Sequence, residues 1–125
     1  MIYTSYIAKL NKLPEGHKVL VTRFAPKHLK PRDDLYIDEA LAPSSHILLR
    51  YKQDNDWDAY VKAYQRELEW MKAELDVIRE LAEDQDVFLL CYETPDKPCH
   101  RHLIAEWYNK KGIPCKEWSE EDATT

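Results

Sequence analysis

Residues Val87-Phe88-Leu89-Leu90-Cys91 form the most apolar run in the chain, and no other feature limits its fold as tightly. The run is short and flanked by polar residues, which reads as a strand covered on both faces. Burial on both faces belongs to parallel sheets with helices above and below. A helical period follows from about Cys99. Leu103, Ile104, Trp107 and Tyr108 fall on one stripe, and Gly112 ends it. Pro95 and Pro98 mark a loop between strand and helix. The three pieces make half of a βαβ unit. Open α/β sheets bind ligands outside the carboxyl ends of their strands. Cys91, Glu93, Cys99, His100 and Arg101 surround that loop and are the first candidate site residues.

The rest of the chain supplies more strands and covering helices. Ile2–Ile7 reads as a first strand, followed by a helical turn or two over Ala8–Leu13 before Pro14. Lys18–Arg23 reads as a second buried strand. Residues 24–34, FAPKHLKPRDD, form a loop after it, either a binding loop or a plain connection. Leu35–Leu41 fits neither period. Ser44 or Ser45 can cap a helix through Ile47, Leu48 and Tyr51, and Asp56 can cap a longer one. Trp57, Tyr60, Val61, Tyr64, Leu68 and Met71 then repeat at helical spacing. The simplest reading of that stripe is core. The other is an aromatic platform for a cofactor. Leu75, Ile78 and Leu81 continue the period, and neither Gly nor Pro decides between one helix and two. Ile113–Trp118 reads as a last strand near a sheet edge, because Pro114 limits its ladder bonding. The fold class expected is α/β: a small three-layer domain over residues 1–118 with a mostly parallel sheet of about four strands. Residues 119–125 are a polar tail.

At 125 residues the chain suits one domain with a modest core. It has no eighteen-residue apolar run, so no membrane partner is expected. The opening MIYTSYIAKL lacks the pattern of a secretory leader, and three cysteines fit a reducing compartment better than a disulfide framework. A cytoplasmic location is therefore expected. Net charge is −5, unevenly spread: residues 1–32 hold seven Lys or Arg against one acid, Glu15. That basic segment suits a small anionic ligand. An acidic whole without a basic recognition helix speaks against nucleic acid. The aromatic content allows either a monomer or a homodimer.

Cys99 falls where the second helix of the βαβ half-unit begins. Free N–H groups and the helix field stabilise a thiolate there. Cys99 is thus the candidate nucleophile, with His100 and Glu93 as proton-transfer groups. Arg101 is the candidate anion clamp. Thr4 and Ser5 at the end of the first strand, Arg23 at the end of the second, and Lys27 beyond it converge on the same edge if the strands are parallel. Cys91, Ser44 and Tyr6 are secondary candidates, with Cys91 read first as a packed thiol. His102 lies one turn before Glu106, and a local surface pair accounts for it. Cys91, Cys99, His100 and Cys115 carry donors suited to zinc, but their spacing lacks the short C-x-x-C pairs of structural sites. No metal and no cofactor is therefore expected. The same spacing argues against Cys91–Cys99 as a C-x-x-C redox pair.

The segment LLCYETPDKPCHRHLIAEW, residues 89–107, resembles the signature of the uncharacterised domain-of-unknown-function family numbered 488. There a strand ends in Leu-Cys-x-Glu, and Cys-His-Arg opens the next helix. IYTSYIAKL (2–10), LAPSSHIL (41–48) and the helix from Trp57 to Leu68 also resemble parts of that family. The resemblance implies a compact α/β domain of bacterial or phage type and no established reaction. The Ile-Gly-His-Ser opening of other branches is replaced by Tyr3-Thr4-Ser5-Tyr6, so a mechanism using a histidine there does not carry over. Three readings stay open: an enzyme acting on a small phosphorylated or nucleotide-like substrate, a non-catalytic anion- or partner-binding module, and a structural cluster.

Overall fold

Strand β4, Val87–Cys91, is the middle of a five-stranded sheet. In this computed structural model, residues 1–23, 35–92 and 98–121 are described. The strand order is β3-β2-β4-β1-β5, with β1 at Ile2–Tyr6, β2 at His17–Leu20, β3 at Leu35–Ile37 and β5 at Cys115–Glu117. All four ladders are parallel. The apolar run predicts this position: a strand with neighbours on both sides and cover on both faces needs no polar residue. The sheet has one strand more than expected. The extra strand is β3, three residues in the stretch that fitted neither period, and two of them, Tyr36 and Ile37, are exposed. Edge pairing to β2, rather than burial, makes β3 a strand, so it leaves little hydrophobic pattern.

Register divides the side chains between two faces. Ile2, Val19, Val87, Leu89 and Cys115 face one side and pack with helices α2 (Trp57–Trp70), α3 (Lys72–Leu81) and α4 (His100–Lys110). Leu20, Phe88 and Leu90 face the other, where Leu10, Leu13 and Trp118 cover them. Among the described residues the regular element of that second cover is a 3₁₀ helix over Ile7–Lys12. Glu120 pairs with Lys9 and Lys12 at 2.8 and 3.4 Å, which brings the start of the polar tail back onto this helix.

Local chemistry explains the element ends. Asp56 accepts the Ala59 N–H at 3.1 Å and caps α2 as its sequence position predicts. Helix α1 spans Ser45–Asp54 and ends at Asn55, whose left-handed φ of 54° lets its N–H reach the Tyr51 carbonyl. Ser44 sits at the N-cap of α1, yet its hydroxyl makes no cap. It turns to His46, while the Ser44 N–H bonds the buried carboxylate of Glu67 at 2.9 Å. The long apolar period is two helices broken at Met71, where the Met71 N–H bonds Leu68 in a tighter turn. Gly112, at φ 78°, follows α4. Gly16 is needed for a different reason: a Cβ there would stand 2.6 Å from the Asp86 carbonyl oxygen. Among the described residues no helix is long and apolar enough to cross a membrane.

Candidate functional site

The chain leaves β2 toward the β3 edge and leaves β4, through α4, toward the β5 edge. The strand ends therefore part at the β2–β4 gap, where open α/β sheets bind ligands. Cys91 closes β4 at that gap, and Cys99 is the N-cap residue of α4. Their sulfurs lie at disulfide-bonding distance, while their Cα atoms are 7.7 Å apart. Both side chains are buried, as is His100.

His100 links the pair to β2. Its Nε2 lies 2.5 Å from the Val21 carbonyl oxygen, which only accepts, so Nε2 carries the proton. Nδ1 is then left unprotonated and faces the Cys99 Sγ at 3.7 Å. Burial pushes the imidazole down to about 4, with help from the Arg101 charge and against the pull of the Val21 carbonyl. The ring is neutral at pH 7. Tyr64 packs edge-on against it, with centroids 5.7 Å apart, and is held by its own bond to the Leu41 carbonyl.

Arg101 points inward. It has no exposed surface and makes a bidentate pair with Glu117, Nε and Nη2 each 3.0 Å from a carboxylate oxygen. Its Nη1 donates to the Cys91 Sγ at 2.9 Å, and the Tyr6 ring lies 5.6 Å from its guanidinium carbon. The Thr4 hydroxyl donates to the same carboxylate at 2.6 Å. Arg101 thus bears on the other cysteine from the one its helix position suggests, and its fork is taken by Glu117. Thr4 bonds the same carboxylate as Arg101 does. Ser5 lies one register position away, with its strand parity on the opposite face, and its buried hydroxyl has no partner among the described residues. Ser44 bonds Glu67 and His46 and does not join the cluster.

A cavity of about 270 Å³ opens beside the cysteines. Cys91, Cys99 and His100 form one wall, and Trp57, Tyr60 and Arg23 form others. Trp57 and Tyr60 stack at 4.5 Å and 21°, with Tyr51 edge-on to both. Arg23 donates through Nη2 to the Pro43 carbonyl at 3.2 Å, while its buried Nε has no partner among the described residues. Of the expected anion-binding set, Arg23 is the residue placed on this cavity. Lys27 and Glu93 lie outside the described residues, as do loop 24–34 and Pro95. His102 does not pair with Glu106, which bonds Lys110 instead at 2.9 Å. The His102 Nε2 is buried, and burial lowers its pKa. Cys115 stays in the core against Ile2, and burial pushes its thiol up to about 12.

Glu117 and Val21 were not legible as site residues. A lone acid in a three-residue edge strand looks like an exposed position, and a carbonyl leaves no mark in sequence. Trp57 and Tyr60 belong to the core stripe and also wall the cavity, so the two readings of that stripe are not exclusive.

Fold and site together define a parallel α/β domain with a buried Cys-Cys-His-Arg cluster beside a helix N-terminus, a candidate catalytic or binding site. Residues 2–112 match the family model DUF488-N3a, described as the active DUF488-N3 subclade, and the chain belongs to that family. No curated protein and no solved structure matches.

Proposed function

We propose that the protein is a thiol-dependent enzyme acting on a small phosphorylated or nucleotide-like substrate. Cys99 is the nucleophile, and Nδ1 of His100 accepts its proton. The observation that carries this reading is the tautomer of His100: with Nε2 donating to Val21, the free lone pair is on the nitrogen nearest the thiol. The helix N-terminus at Cys99 favours the thiolate that results. A flat ring fits against Trp57 in the cavity, and Arg23 at its rim suits the anionic group of the same ligand. Arg101 acts as a positioning residue: tied to Glu117, it orients Cys91 beside the nucleophile. The description of the matched subclade as active agrees with a working site.

The test is alkylation of each cysteine by iodoacetamide in reduced, chelator-treated protein, followed by mass spectrometry. Cys99 should label at least tenfold faster than Cys115, and His100→Gln should slow Cys99 alone. Inorganic phosphate or a nucleoside monophosphate should protect it. Equal labelling of Cys99 in the wild type and the His100→Gln variant refutes the dyad. Protection without turnover of any phosphorylated compound leaves the non-catalytic anion-binding module in its place.

A further inference from the structure

We propose that Cys91, Cys99 and His100 form a binding site for one thiophilic divalent cation of the zinc type, with a fourth coordination position open to the cavity. One ligand atom from each of the three lies within 4.8 Å of the others. Two sulfurs and an imidazole nitrogen are the donor set that zinc prefers, and three protein ligands with an open fourth position are the pattern of sites that exchange ligands. The Cys99–His100 spacing agrees. With Zn–S near 2.3 Å and Zn–N near 2.0 Å, a sulfur and a nitrogen on one tetrahedral ion stand roughly 3.5 Å apart. Cys99 Sγ and His100 Nδ1 are 3.7 Å apart.

The surroundings match as well. A metal-ligating histidine donates its other ring N–H to a carbonyl or carboxylate, which fixes the tautomer. Here Nε2 donates to Val21 and leaves Nδ1 as the ligand. Cys91 receives a hydrogen bond from Arg101, a charge-assisted contact suited to a thiolate ligand. Among the described residues Glu117 pairs with Arg101, so an ion carrying two positive charges neutralises the two thiolates. A disulfide is the competing explanation for two adjacent sulfurs. Ordinary disulfides span about 4.4–6.8 Å between Cα atoms, and 7.7 Å lies beyond that range. Two thiolates on one tetrahedral ion stand roughly 3.8 Å apart, so loading requires the reduced sulfurs to separate from their contact in this structure. The sequence spacing hid the site because its ligands come from a strand end and from a helix start eight residues later, rather than from one short hairpin.

Loading is balanced by proton release: each thiol gives up its proton as its sulfur binds the cation, two protons per ion from the fully protonated pair. The site does not depend on the proposed thiol chemistry. A bound ion occupies Cys99 and withholds it as a nucleophile, so the two are alternative states of one cluster.

The test begins with reduced, chelator-stripped protein whose three thiols are confirmed by titration. Co²⁺ should bind at one ion per chain, with ultraviolet thiolate-to-cobalt charge transfer and the visible bands of tetrahedral coordination. Zn²⁺ should displace it and protect both Cys91 and Cys99 from alkylation. Cys99→Ser and His100→Gln should each weaken binding at least tenfold, and Cys115→Ser should leave it unchanged. Absence of charge transfer, or Zn²⁺ protection of fewer than both cysteines, overturns the proposal. The wild-type measurements decide this even where a variant fails to fold. Cobalt bound at a Cys99 that is inert when metal-free refutes the thiol enzyme and leaves the metal site. A reactive Cys99 that binds no cobalt does the reverse.

Discussion

Glu117→Gln is the sharpest structural test of the cluster. Arg101 has no exposed surface, and among the described residues its ion-pair hydrogen bonds end on the Glu117 carboxylate. Removing one partner of a buried pair leaves an uncompensated charge and costs about 3–5 kcal/mol. The Glu117 side chain is itself 25% exposed, so water can reach part of the gap and the lower figure of about 3 kcal/mol applies. For a domain of this size that lowers Tm by roughly 12 °C, at about 4 °C per kcal/mol. Urea unfolding followed by circular dichroism, in reducing and chelating buffer, measures it. The Arg101→Met, Glu117→Gln double variant removes the buried charge as well and should recover part of the loss. A loss below about 1 kcal/mol for Glu117→Gln would refute the argument that this pair neutralises a desolvated guanidinium. A double variant no more stable than the single one would refute it too.

Gly16→Ala should destabilise by about 1–3 kcal/mol in the same assay, because its Cβ would meet the backbone oxygen of Asp86 and the Phe88 ring. Asp56→Ala should cost about 1 kcal/mol through the lost cap on α2, with Asp56→Asn recovering most of it. Burial pushes the Cys115 thiol from 9 up to about 12, so the unfolded chain loses this proton first as pH rises. The stability contributed by the protonated thiol is full below about pH 9 and declines above it. Native protein at pH 9 should leave Cys115 unalkylated while urea-unfolded protein labels it. A Cys115 that labels equally in both states would contradict its burial.

The sequence by itself determined the central strand and the helix that follows it. Val87–Cys91 has no polar residue to place in water, and the stripe of Leu103, Ile104, Trp107 and Tyr108 admits one buried face. Asp56 and Gly112 announced element ends because capping and termination are local. Strand β3 escaped notice since edge pairing, not apolar pattern, makes it a strand. The site is legible in sequence as a neighbourhood, because Cys91, Cys99, His100 and Arg101 flank one strand-to-helix loop, but the contacts within it are not. Glu117, which pairs with Arg101, comes from another strand, and only the β1–β5 ladder brings that carboxylate beneath α4. The lone-pair direction of His100 depends on the Val21 carbonyl, a backbone group from the far side of β4. The distance between two sulfurs eight residues apart depends on how far α4 is set back from the sheet. Tertiary structure alone decided these three things, because hydrogen-bond direction and side-chain spacing are set across strands that the chain separates.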